Sequence, residues 1–174
     1  MYCGGGAFAW CTHLKHIELP ALKILSHGWR RGGEWDENGR RATTMFYRCD
    51  QLEEINLPNL ETILAAELIF TQCYSLKKVN APKLVNIMYE GPTSAKDMQY
   101  IFAYCPSLRE VTFGLKASEL LAYKNFGSWG YYSAPYANVT FHCPADAPFN
   151  VDVMYVNGAW TAVTNGTFRL ADYI

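Results

Sequence analysis

The chain has 174 residues, half of them hydrophobic, which is enough to close one sizeable core and excludes general disorder. Its 15 basic and 16 acidic residues leave a formal net charge of −1, so no basic face stands ready to neutralise phosphates, and nucleic acid is excluded as a partner. No run of about 18 apolar residues occurs, so no membrane-inserted helix is expected.

The opening residues, Met1-Tyr2-Cys3-Gly4-Gly5-Gly6, carry neither the basic leader nor the apolar stretch of a signal peptide. Two origins fit that start: a piece excised from a longer protein, or a protein that does not use the general secretory route.

From Phe8 onward one pattern recurs: Phe, two residues, Cys, two residues, Leu, two residues, Ile or Val, then an apolar–Pro step. The first copy reads Phe8, Cys11, Leu14, Ile17, Leu19, Pro20, Leu22, and the second Phe46, Cys49, Leu52, Ile55, Leu57, Pro58, Leu60, closed by Ile63. The third is Phe70, Cys73, Leu76, Val79, Ala81, Pro82, Leu84, Ile87. The fourth is Phe102, Cys105, Leu108, Val111, Phe113, with Gly114 in place of proline. Val139-Thr140-Phe141 echoes Val111-Thr112-Phe113 and reads as a degenerate fifth turn. Self-similarity on this scale marks a solenoid, in which each unit buries its apolar edge against its neighbours.

Within each copy the Ile/Val-x-Leu step alternates as a short strand should, and stacking such strands predicts a parallel sheet along the array. The outward residues then form rows: His16, Glu54, Lys78, Glu110 in one, and Glu18, Asn56, Asn80, Thr112, Thr140 in another. Glu54, Lys78 and Glu110 alternate in sign, as do Lys15, Glu53 and Lys77, which predicts a solvated and self-satisfied face. Cys11, Cys49, Cys73 and Cys105 share one slot, so their side chains run parallel in a column rather than facing each other. That disfavours disulfides and favours four small buried hydrophobes; Cys3 and Cys143 lie outside the column.

These units resemble the leucine-rich repeats of the BspA-like class, known from bacterial surface proteins, over about residues 7–115. The resemblance implies a curved, right-handed solenoid with a role in adhesion or recognition, and no enzyme.

The copies are unevenly spaced. Phe46 and Phe70 are 24 residues apart, whereas Phe8 and Phe46 are 38 apart and Phe70 and Phe102 are 32 apart. All the excess falls between the Leu22-type position and the next Phe, giving inserts near 26–44, 88–101 and 116–137. Insertions at one slot emerge on one edge, often the binding edge. The first insert carries Trp29, Arg30, Arg31, Trp35, Arg40 and Arg41, the second Tyr89, and the third Trp129, Tyr131 and Tyr132. Trp, Tyr and Arg dominate binding hot spots, and these ten residues are the candidate ligand-binding set. The alternative is that the rings fold back as small satellite cores under the loops.

After Pro144 the character changes. Val153-Met154-Tyr155-Val156 and Ala159-Trp160-Thr161-Ala162-Val163 flank Asn157-Gly158, a hairpin signal, and Asn165-Gly166 repeats it before Thr167-Phe168-Arg169-Leu170. A three-stranded antiparallel meander over 151–171 is predicted, either capping the solenoid's last core edge or leading to a further domain.

Catalytic and metal signals are weak. Cys11-Thr12-His13-Leu14-Lys15-His16 holds three potential metal ligands, but its Cys belongs to the repeat column and no second pair follows at zinc-like spacing. His142 and Cys143 are adjacent on a strand and point to opposite faces. No phosphate-cradling loop or serine-hydrolase elbow occurs. The sequence therefore predicts a mainly β leucine-rich-repeat solenoid over 1–144, with a short parallel sheet and short helical turns, and a C-terminal β meander over 145–174. Functionally it predicts a non-enzymatic module without metal or cofactor, extracellular or at a cell surface, that binds a protein or carbohydrate on another surface. A structural segment of a larger surface or phage-tail protein is the alternative, and the sequence sets no oligomeric state.

Overall fold

A computed structural model of the chain describes residues 2–4, 6–26, 45–64, 69–88, 101–102, 104–116, 119, 139–142, 144, 153–156 and 159–162. Eleven strands of three or four residues make up the regular structure among them. Each of the first three coils contributes two strands, and these stack into two separate sheets.

The larger sheet holds β2 (His16–Glu18), β4 (Glu54–Asn56), β6 (Lys78–Ala81), β8 (Glu110–Phe113) and β9 (Thr140–His142) in parallel. It is extended by β10 (Val153–Val156), antiparallel to β9, and by β11 (Ala159–Ala162), antiparallel to β10. The predicted Asn-Gly hairpin is therefore present as the β10–β11 pair; the third strand expected near 167–170 lies outside the described residues.

The second sheet was not anticipated. It runs β1 (Tyr2–Gly4), β3 (Ile24–Ser26), β5 (Thr62–Leu64), β7 (Asn86–Met88), all parallel. Strands of three residues show one turn of alternation at most, too little to stand out as a period. Its central register row is Cys3, Leu25, Ile63 and Ile87, which places Cys3 in this sheet rather than in the thiol column.

The register of the larger sheet matches the repeat alignment through four coils: His16, Glu54, Lys78 and Glu110 are Cα partners in turn. The fifth strand departs from it by two residues. Phe141, not Val139, pairs with Val111, so Thr140 falls opposite Glu110 and His142 opposite Thr112. A slip of two leaves the in–out alternation unchanged, so the pattern could not distinguish the two registers.

Between the sheets lies one core. Phe8, Phe46, Phe70 and Phe102 stack face to face, with successive centroids 5.7, 5.6 and 5.1 Å apart and ring planes within 13° of parallel. The Cys, Leu and Ile/Val rows of the second to fourth coils are buried beside this stack. The first coil differs: Phe8, Cys11, Leu14, Ile17 and Leu19 are only partly buried. Cys11 is thus not the fully buried hydrophobe the pattern suggested, because this end rung has a neighbouring coil on one side only among the described residues.

The thiols have a more specific role than filling space. Cys49 Sγ donates to Phe8 O at 3.0 Å, Cys73 Sγ to Phe46 O at 3.0 Å, and Cys105 Sγ to Phe70 O at 2.9 Å. Each of those carbonyls also accepts from the amide of its own coil's cysteine. Both lone pairs of a buried carbonyl are thereby occupied, which a purely hydrocarbon side chain at the Cys slot could not achieve. All four cysteines of the column are free thiols, as the parallel geometry requires.

Candidate functional site

The chain can complete each Phe-x-x-Cys turn only by bending sharply, and the residue before each Cys takes the left-handed conformation. Trp10, Arg48, Gln72 and Tyr104 have φ of 65°, 56°, 61° and 59°. A non-glycine residue there costs roughly 1–2 kcal/mol. Rung-to-rung bonds offset this cost: Trp10 N–H donates to Tyr47 O at 2.8 Å, and Arg48 N–H to Thr71 O at 3.1 Å. The same turn therefore recurs in register, and its side chains form one edge of the solenoid.

On that edge the first three coils assemble an aromatic and charged cluster. Trp10 is 59% exposed. One face of its indole is covered by the Arg48 guanidinium, whose Cζ lies 4.6 Å from the ring centroid, and the edge of Tyr47 meets it at 5.9 Å and 76°. Beside Arg48 stands Asp50, with Nε and Oδ1 4.0 Å apart. This is beyond hydrogen-bonding distance, and those two atoms, with Gln72 Oε1, are shielded from solvent without a hydrogen-bond partner. Ser75 N–H donates to Asp50 O at 3.3 Å, which places Tyr74, 40% exposed, on the next rung.

The broad face of the larger sheet is chemically quieter. Lys77 Nζ reaches Glu53 Oε2 at 2.7 Å and Lys78 Nζ reaches Glu110 Oε2 at 3.4 Å, as the alternating signs predicted. The Lys77 ammonium, by hydrogen bond first and by charge second, holds the Glu53 carboxyl below its ordinary range. Asn80 Nδ2 donates to Asn56 Oδ1 at 2.8 Å, and Asn56 Nδ2 to Glu18 Oε1 at 3.0 Å. These groups satisfy one another and offer little to a ligand.

Nor does the structure assemble reactive chemistry among the described residues. Burial, before any other influence, pushes the Cys49 thiol up to about 12. Cys73 is raised further, by contact with the Cys105 thiol and then by burial, so neither is a nucleophile at neutral pH. Thr12 Oγ1 lies 3.1 Å from His13 Nδ1, and no three His, Cys, Asp or Glu side chains among the described residues converge on a metal-sized point.

All ten residues of the predicted binding set (Trp29, Arg30, Arg31, Trp35, Arg40, Arg41, Tyr89, Trp129, Tyr131 and Tyr132) lie outside the described residues. Two of the inserts nevertheless rejoin the described chain at this turn, at Met45 and Ile101. Trp10, Arg48 and Tyr74 were not singled out from sequence because they sit inside the repeat itself. For Trp10 and Arg48 the available signal was their position: in an otherwise regular unit, the third residue of Phe-x-x-Cys changes freely from Trp10 to Arg48 to Gln72 to Tyr104, whereas Tyr74 follows its Cys and carried no such signal.

A family model described as the BspA type leucine-rich repeat region (6 copies) matches residues 42–127. No curated protein and no solved structure matches the chain.

Proposed function

Residues 42–127 are a BspA-type leucine-rich repeat region, and from that premise we propose that the chain is a non-enzymatic recognition module, working outside the cell or at its surface. In this reading the two sheets are a frame. The turn edge is what the frame presents to a protein or glycan, with the insert aromatics Trp29, Trp35, Tyr89, Trp129, Tyr131 and Tyr132 and the arginines Arg30, Arg31, Arg40 and Arg41 extending it. The right-handed winding and a capping role for the C-terminal meander belong to the same reading.

The observation that carries it is the Trp10–Tyr47–Arg48 contact set. A large ring is more than half exposed yet held by a guanidinium on one face and a phenol at its side. A ring already fixed loses little side-chain freedom on binding, which is what a recognition surface needs.

The test is biolayer interferometry of the full chain against immobilised extracellular proteins and oligosaccharides. Saturable binding that weakens in Trp10→Asn, or in Trp29→Ala with Trp35→Ala, is the expected result. No binding to any surface, together with a stable oligomer in light scattering, would instead favour a spacer or assembly segment of a larger surface or phage-tail protein.

A further inference from the structure

We propose that the open end of the first coil is a docking site for one further coil of the Phe-x-x-Cys-x-x-Leu-x-x-Ile type, supplied by a partner chain that carries such repeats. This surface is the end of the stack, whereas the recognition reading above concerns its side, and neither depends on the other.

The first coil is closed on one half and open on the other. Leu25 of β3 is fully buried, and β1 pairs alongside that strand as a further rung. By contrast, β2 is the last strand of the larger sheet. On its side Phe8, Cys11, Leu14, Ile17 and Leu19 are only partly buried, although the same slots of the second coil, Phe46, Cys49, Leu52, Ile55 and Leu57, are all 0% exposed.

Apolar surface alone does not say what covers it, but the hydrogen bonds do. Each coil turns one fixed set of groups toward the coil before it. In the second coil the carbonyls of Met45, Tyr47 and Asn56 accept from the amides of Phe8, Trp10 and Leu19 at 3.0, 2.8 and 3.0 Å. Glu53 N–H gives to Lys15 O at 2.8 Å, and Cys49 Sγ to Phe8 O at 3.0 Å. The third coil repeats the set: Ile69, Thr71 and Asn80 accept from Phe46, Arg48 and Leu57, while Lys77 N–H gives to Glu53 O and Cys73 Sγ to Phe46 O. On the first coil the equivalent groups are the carbonyls of Ala7, Ala9 and Glu18, the Lys15 N–H and the Cys11 thiol. None of them has such a bond among the described residues.

An occupant must therefore offer three donors and two acceptors in a set order along its own chain, while continuing the phenylalanine stack and covering Ile17. A plain extended strand could pair with β2, as peptides add to sheet edges. It could not also follow the chain round the turn that holds Ala7 O, Ala9 O and Cys11 Sγ. The turn-and-strand half of a repeat does both, and the second and first coils already make this set of bonds to the coils behind them. Because a repeat meets only its neighbours, a coil arriving from another chain encounters the same interface as one joined covalently.

The experiment adds a synthetic peptide of residues 45–58, carrying Cys49→Ser, to the isotope-labelled full chain. Amide shifts are followed by NMR, and iodoacetamide labelling of Cys11 is read by peptide mass mapping. A control peptide carries Phe46→Ser and Ile55→Ser as well, so the comparison depends on no variant of the chain folding. The expected result is saturable shifts centred on residues 7–11 and 15–18, with Cys11 labelling slowed about tenfold and the control peptide bound about tenfold more weakly or worse. Absence of these shifts, shifts confined to other residues, or equal binding of the two peptides would overturn the proposal. Light scattering that shows the chain alone to be a stable dimer, with the same amides shifting on dilution, would place a second copy's first coil at this end and overturn it likewise.

Discussion

Cys73 gives its thiol proton to the carbonyl of Phe46, one coil earlier, at 3.0 Å. The bond is buried, and its counterparts at Cys49 and Cys105 point the same way along the array. The cysteine slot thus contributes a small apolar volume and a donor together. Cys73→Ala should lower stability by about 1–3 kcal/mol in urea unfolding, through the sulfur-sized void and the half-satisfied carbonyl. Cys11→Ala, in the partly buried first rung, should cost less. Equal losses at the two positions would show that the column bonds add nothing.

A buried thiol whose ionisation is suppressed ties folding to alkaline pH. Burial raises Cys49 from 9.0 to about 12, so the unfolded chain sheds this proton first. The contribution is complete below pH 9 and drains away as pH climbs toward about 12, at up to about 1.4 kcal/mol per unit. Urea unfolding of wild type and Cys49→Ala across this window isolates the effect: the wild-type curve should fall more steeply. The native thiol should also resist iodoacetamide at pH 8 until denaturant is added.

Gly114 stands where the other coils have Pro20, Pro58 and Pro82, and the structure gives the reason. A Cβ at residue 114 would sit 2.7 Å from Pro82 O and 3.0 Å from Lys83 C, both rigid backbone atoms of the preceding coil. Gly114→Ala should therefore destabilise by about 1–3 kcal/mol. Gly114→Pro should do no better, even though proline is the repeat's own choice elsewhere. Differential scanning calorimetry of the two variants settles the point.

Lys77 favours the ionised form of Glu53, so that carboxyl should titrate below an ordinary glutamate in a carboxyl-detected NMR titration. Its depressed value means that the associated stability is present at neutral pH and is lost as acid protonates the folded carboxylate. Lys77→Met should move the Glu53 midpoint upward. High salt should move it in the same direction in the wild type, because both side chains are exposed.

The parts of this fold legible in the sequence are those fixed by identity at equal spacing. The Phe stack, the thiol column and the His16–Glu54–Lys78–Glu110 row all follow from aligning four copies of one unit. The second sheet escaped because Thr62-Ile63-Leu64 and its equivalents present a single inward residue each. The register at β9 escaped because a two-residue slip is invisible to alternation. The turn edge was hidden for a different reason. Attention goes to long polar inserts with surprising tryptophans, whereas Trp10 stands within the motif and its chemistry appears only once Arg48 and Tyr47 from the next coil are set against it.

Every column bond runs from a cysteine to the carbonyl behind it, and the bare unit has one fixed length: Asn56 and Asn80, bonded rung to rung, are 24 positions apart. Excising residues 46–69 would bring Phe70 against Phe8 and hand Phe8's carbonyl to Cys73, leaving no lone pair stranded. The array can thus be shortened or duplicated by whole units, as a deck loses or gains cards, without inventing a new join. Its reach toward a partner becomes a matter of copy number, open to recombination without any redesign of the fold.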